Sequence, residues 1–364
     1  MEDIFRKLVA IPSVCGNLPA AYEIMDLAAN YLEPTGIHIQ RFEENGYPSL
    51  VATTRPTKTP RLMLAAHLDV VPAPSALFKL RKSKGKYIGR GVFDMKFAAA
   101  SYLTLIQELQ PKLSDYDIGI MLTTDEENHG QYGTGMLVGR GYVPKVCVLP
   151  DGSENWHIET FAKGRWFAQI TVKGKAAHGS RPWEGDSASV KLIRLLSDLS
   201  MAFEFAQMPD TETLNIGMMN SGQSVNQIPD SATASIDIRY MEIKTLLRIQ
   251  EKLAELCKKY GASLVALNDE GHPIINKLDN PHIAAFASCV EKIVGVTPAA
   301  TTSFGTSDGR FFTPLNVPCI ITRPAGGGQH SNKEWLDIDG FYQFHAVLKD
   351  YVQEISRLSN RAVA

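Results

Sequence analysis

A chain of 364 residues, 44% hydrophobic and 21% charged, is long enough for two domains and has the composition of a soluble globular protein. Its formal net charge of -2 gives no reason to expect nucleic acid or an anionic membrane as a partner. No apolar run approaches a membrane span, and the opening M-E-D-I-F-R-K lacks a signal-peptide core. Cys15, Cys147, Cys257, Cys289 and Cys319 have no paired spacing and mostly apolar neighbours, so reduced core thiols in a cytoplasmic protein are expected.

In chain order, apolar residues recur at helical spacing over residues 18–32, and Pro34-Thr35-Gly36 stops that helix. Short strands are expected at 37–40 and 49–53. An apolar run starting at Leu62 then ends abruptly in His67-Leu68-Asp69. Alternate side chains of an extended segment share a face, so His67 and Asp69 point the same way from the strand end. Residues 72–86 read as a polar, basic loop. The turn Gly89-Arg90-Gly91 leads to Asp94 and a helix over 95–110, ended by Pro111. The strand at 117–124 runs straight into Asp125-Glu126-Glu127, and glycines 130, 133 and 135 open a short helix. A strand at 145–149 ends in Pro150-Asp151-Gly152. Such alternation predicts an α/β sheet, which holds ligands at the carboxyl ends of its strands.

The character changes after Trp156. A strand over 161–172, expected to form a sheet edge, is followed by a helix at 186–206, strands at 213–220 and 232–240, a helix at 243–260 and a strand at 262–267. That β-α-β-β-α-β order is the ferredoxin-like pattern. From residue 281 the earlier alternation resumes, with helices at 283–294 and 341–358 around a strand at 317–322. The expected domains are a catalytic domain in two parts, 1–157 and 271–364, interrupted by a smaller α+β domain at 158–270.

Four strand ends therefore carry polar groups: His67 with Asp69, Asp94, Glu126 with Glu127, and Asp151. A fifth signal, His330, follows Gly326-Gly327-Gly328-Gln329. In isolation Asp125-Glu126-Glu127 reads as a solvated acidic turn, Asp94 as a helix N-cap and His330 as a loop histidine. Together they form the mixed nitrogen and oxygen set that binds hard and borderline divalent metals. Two imidazoles and three carboxylates suit two metals about 3.5–4 Å apart that act jointly on water and a carbonyl. One of the adjacent glutamates is then free to take a proton.

At this point the sequence resembles the dinuclear-zinc exopeptidases and deacylases, a family that includes succinyl-diaminopimelate desuccinylase, acetylornithine deacetylase, glutamate carboxypeptidase and carnosine-type dipeptidases. The resemblance covers nearly the whole chain. H-L-D-V-V-P at 67–72 makes His67 a ligand and Asp69 the carboxylate that orients it. G-R-G-V-F-D-M-K at 89–96 makes Asp94 the bridging ligand, and D-E-E at 125–127 makes Glu126 the general base and Glu127 a ligand. Asp151 and His330 take the remaining ligand positions. G-K-A-A-H-G-S-R-P at 174–182 resembles a lid motif whose histidine, His178, touches the substrate carbonyl. Asn226 matches a lid asparagine, and S-F-G-T-S-D-G-R-F at 303–311, with Arg310, resembles a substrate-side loop. Gly327 and Gly328 offer backbone N–H groups to a substrate carboxylate.

Three positions depart from the family pattern. Phe97 replaces a frequent glycine and is expected to narrow or reshape the cleft. Asn128 and His129 stand where small residues are commoner, with His129 read as a pocket or surface residue. Asp151 stands where desuccinylases and deacetylases usually carry Glu, and Asp is more usual among aminopeptidases and dipeptidases.

The resemblance implies a zinc-exopeptidase-like catalytic domain with a central mixed sheet and a ferredoxin-like lid and dimerisation domain. It implies two Zn2+ per chain, replaceable by Co2+ or Mn2+, and a homodimer in which His178 serves the partner's site. The implied activity is hydrolysis of a small carboxylate-bearing amide, as an exopeptidase or dipeptidase on short peptides. The alternatives are an N-acyl-amino-acid deacylase and a non-catalytic metal- or ligand-binding protein.

Overall fold

The computed structural model describes residues 1–203, 205, 208–267 and 271–361, in two compact units. The larger comprises residues 1–161, 275–303 and 307–364. Its six-stranded sheet contains β1 (His38–Glu44), β2 (Tyr47–Thr53), β3 (Leu62–His67), β4 (Ile118–Thr123), β5 (Val146–Val148) and a late strand, Cys319–Ile320. The order is β1-β2-β4-β3-β5 followed by the late strand, antiparallel at β1 and β2 and parallel across the rest. Every residue of β3, β4 and β5 is buried, as strands apolar on both faces require, whereas β1 keeps no residue fully buried.

Helix α1 (Glu2–Ala10) was not expected from the sequence, although Ile4, Phe5, Leu8 and Val9 make one buried stripe. The helix α2 (Leu18–Leu32) matches its periodicity. In α3 (Lys96–Leu109) only Gln107 and Glu108 escape burial. It packs against α1, α2 and β3, and the Phe97 ring meets Phe344 edge-on at 5.1 Å. Phe97 therefore faces the core, which corrects the expectation that it narrows the cleft. Asp94 does not cap this helix either: Met95 holds the N-cap position without a side-chain bond. The expected loop at 72–86 contains a hairpin, Arg81–Ser83 with Lys86–Ile88, whose second strand pairs with Trp335–Asp337. Lys84 and Gly85, both at positive φ, close it as hairpin turns favour.

The smaller unit comprises residues 162–274 and 304–306. It contains β6 (Gly164–Lys173), α4 (Ala188–Phe203), β7 (Thr213–Ser221), β8 (Ser231–Tyr240), α5 (Ile243–Tyr260) and β9 (Ala262–Ala266). The antiparallel order β7-β8-β6-β9 is the ferredoxin-like arrangement. Alternate residues of β8, from Ala232 to Tyr240, are buried with Leu192, Leu195 and Leu199 of α4 and Leu246, Ile249 and Leu253 of α5. The strand expected to form an edge is corrected here: β6 lies inside, between β8 and β9, and the edges are β7 and β9. Among the described residues no helix is long and apolar enough to cross a membrane.

Candidate metal centre

Parallel register brings the polar strand ends to one level. His67 lies opposite Thr123, and Leu64 opposite Val148, so Glu126, Glu127 and Asp151 leave the sheet beside His67. Asp94 arrives from the turn before α3, and His330 from the loop between Gly326–Gly327 and Trp335–Asp337.

Asp94 stands between the two imidazoles. Its Oδ1 is 3.2 Å from His67 Nε2 and its Oδ2 is 3.1 Å from His330 Nε2. His330 Nε2 is also 3.3 Å from Glu127 Oε1. Ligand atoms of His67, Glu126 and Asp151 all lie within 4.8 Å of one another, as do those of Asp94, Glu127 and His330. Asp69 supports both sides: its main-chain carbonyl lies 3.0 Å from His67 Nδ1 and its carboxylate 3.5 Å from the same atom. The same carboxylate accepts the N–H groups of Glu126 at 3.3 Å and Glu127 at 2.9 Å.

So many acids in one place repel each other. Burial, then Asp151, pushes Glu126 well above the ordinary glutamate range, and burial with Asp94 does the same to Asp151. Asp94 is held well below its usual range despite its burial, because His330 and His67 hydrogen-bond to it. His330 is raised to about 10 by Asp94 and Glu127. His330 also holds a φ of 60°, strained for a residue with a side chain. Crowded carboxylates, two imidazoles on either side of one of them and no thiolate in either group make a donor set that fits divalent cations.

Several supporting residues went unread in the sequence. Glu334 is fully buried and grips the turn that delivers Asp94: Oε1 accepts from Phe93 N at 2.9 Å and Asp94 N at 3.1 Å. Its Oε2 accepts from Gly91 N at 3.0 Å and Arg90 Nη1 at 2.7 Å. A carboxylate four residues after His330 was the available signal. Asp125 shapes the glutamate turn by accepting from Tyr132 N at 2.7 Å and Gly133 N at 3.0 Å. A Cβ at Gly130, where φ is 63°, would run into the Asp308 carboxylate.

The remaining candidates are spread more widely. His129 is exposed. Arg310 is buried and donates to the main-chain carbonyls of His129 and Ser307. Gly327 pairs with Trp335 in a short strand, and Gly328 has a φ of 70°. In the smaller unit His178 pairs with Gln227, next to Asn226, whose carbonyl accepts the Gly179 N–H at 2.6 Å. Ser180 N donates to His178 Nδ1 at 3.2 Å, so the neutral ring carries its proton on Nε2.

Comparison with known proteins places the chain in a family. Residues 63–354 match the model of peptidase family M20/M25/M40. The succinyl-diaminopimelate desuccinylase of Rickettsia bellii (strain RML369-C) is 27% identical over 324 residues, 81% of either chain. That of Rickettsia felis is 26% identical over 380 residues, 96% of this chain and 98% of the relative. A tripeptidase from Staphylococcus aureus superposes with a TM-score of 0.78 at 20% identity over 98% of both chains. Human carnosine dipeptidase 1 does so with a TM-score of 0.68 at 15% identity, over 98% of this chain and 96% of that one. Likeness to these two solved structures, at 20% and 15% identity, carries the fold alone.

Proposed function

Because the chain belongs to peptidase family M20/M25/M40 and is a metal-dependent peptidase or deacylase, we propose that it is a dinuclear zinc exopeptidase acting on short peptides. The observation that carries this reading is Asp94, shared between His67 and His330, with Glu127 beside one imidazole and Asp151 beside the other. His67, Asp94, Glu127, Asp151 and His330 would hold the metals, with Co2+ or Mn2+ as substitutes. Bound metals supply Lewis acidity, which polarises the scissile carbonyl and makes water more acidic.

The chain's own residues do the rest. Glu126 accepts the proton of the attacking water and returns it to the leaving amine. Its position beside His67 and Asp151, and not beside His330, leaves it free of the Asp94–Glu127–His330 group. Asp69 keeps His67 and the glutamate turn in place. His178 would offer Nε2–H to the developing oxyanion, and Asn226, Gly327 and Gly328 would face the substrate, while buried Arg310 would act by holding the 303–311 loop to His129. The smaller unit acts as the lid, and its exposed edge β7 pairs with a second copy, so that His178 works in the partner's site. Apolar residues on that edge, including Met218 at 62% exposed, support this assembly.

Asp151 favours di- or tripeptides. The desuccinylase relatives and the stretch G-T-S-D-G-R-F favour N-acyl amino acids as the second reading. The deciding experiment is an activity screen of zinc-, cobalt- and manganese-loaded protein on di- and tripeptides and on N-acetyl, N-succinyl and N-carbamoyl amino acids. Peptide turnover that exceeds acyl turnover supports the peptidase reading, and the reverse order replaces it with the second.

A further inference from the structure

A chain of polar side chains behind the candidate ligands has no part in the proposed reaction. Arg323, only 4% exposed, reaches two loops at once. Its Nε donates to the Ser153 carbonyl at 3.0 Å, just past Asp151, and its Nη2 donates to Gln329 Oε1 at 2.8 Å, just before His330. The guanidinium also lies 3.9 Å from the centre of the Phe93 ring, next to Asp94. Gln329 Nε2 in turn donates to Asp94 Oδ2 at 2.7 Å, the oxygen that faces His330. Among the described residues the remaining fork atom, Arg323 Nη1, has no hydrogen-bond partner, so the contacts of this guanidinium run through Nε and Nη2.

A glutamine amide is symmetric in shape but not in chemistry. A guanidinium only donates, so the amide oxygen must face Arg323 and the amide N–H must face Asp94. We propose that Arg323 and Gln329 form a positioning relay for Asp94: Arg323 fixes the orientation of the amide, and the amide holds Oδ2 so that both carboxylate oxygens serve the metal centre. The relay presupposes that Asp94 is a metal ligand. Without Arg323 the amide oxygen loses its anchor, the exposed Gln329 side chain is free to swing away from Asp94, and Oδ2 loses its donor.

Arg323 also places a positive charge near Asp94, Asp151 and Glu159, so a role through charge alone has to be separated from positioning. Arg323→Lys does this, because it keeps the charge and loses the fork. Gln329→Leu, at an exposed position, removes the amide with little risk to folding. The measurements are metal dissociation constants by competition with a chromophoric chelator, and the visible spectrum of the Co(II)-loaded protein. They are made for the wild type, each variant and the double variant. Each single change should weaken metal binding by roughly 10- to 100-fold and alter the cobalt spectrum in the same way. The double variant should be no weaker than the worse single, since both break one chain.

Wild-type affinity in Gln329→Leu overturns the relay, even where Arg323→Lys does not fold. So do wild-type affinity in Arg323→Lys and additive losses in the double variant. A wild-type protein that binds no metal overturns the metal reading and the relay together. Normal wild-type uptake with unchanged variants overturns the relay alone.

Discussion

Glu126 and Glu127 are neighbours in sequence with opposite expected roles. Glu127 faces His330 at 3.3 Å, whereas Glu126 groups with His67 and Asp151. Glu126→Gln keeps the shape and removes the proton acceptor, so turnover should fall by about 100-fold or more while metal content persists. Steady-state kinetics beside elemental analysis checks both halves. Glu334 tests a different property. Its two oxygens meet four donors inside the protein, so Glu334→Gln breaks a buried ion pair with Arg90 and sets an amide N–H against backbone N–H groups. A loss of about 3–5 kcal/mol in chemical denaturation is expected, with reduced metal uptake. Stability near wild type would mean that the turn holds Asp94 without Glu334.

Helix α1 is held by a surface cluster at its first residue. Glu2 Oε2 accepts from Lys82 at 2.6 Å, Tyr87 at 2.9 Å and Tyr342 at 3.2 Å. The Lys82 hydrogen bond is the main force that holds Glu2 down from 4.5 to about 2. A carboxylate depressed on folding adds stability above its unfolded pKa and loses it as the pH falls through its folded one. Glu2→Gln should therefore be less stable than wild type by about 1 kcal/mol at pH 7. The gap should close between pH 4.5 and about 2 in thermal melts, and a gap constant with pH would contradict this account. The same helix shows what was legible in the sequence. Strand β3 and helix α3 are legible through their apolar runs. α1 is short, with an amphipathic stripe inside a charged opening segment. The β6 edge expectation failed because alternation reports how many faces are wet and says nothing of which neighbours a strand pairs with. Ligands at strand ends were readable one by one, whereas Glu334, Gln329 and Arg323 matter only through partners far away in the sequence.

At the scale of the molecule, the dimer is the reading most open to test. Among the described residues strand β7 has no neighbour on its outer side and leaves Ile216, Met218 and Met219 exposed, a surface that proteins usually cover. When His178→Ala and Glu126→Gln proteins are mixed with demonstrated subunit exchange, heterodimers hold one intact site. Activity should return to about a quarter of wild type under random exchange. No recovery would mean that His178 serves its own chain's site or none. The central claim, however, is the metal pair across Asp94, and metal content tests it most directly. Wild-type protein incubated with zinc and desalted should carry about two ions per chain by elemental analysis, as should Glu126→Gln, with less in His67→Ala and His330→Ala. One ion or none in the wild type, or full occupancy in both histidine variants, would contradict it.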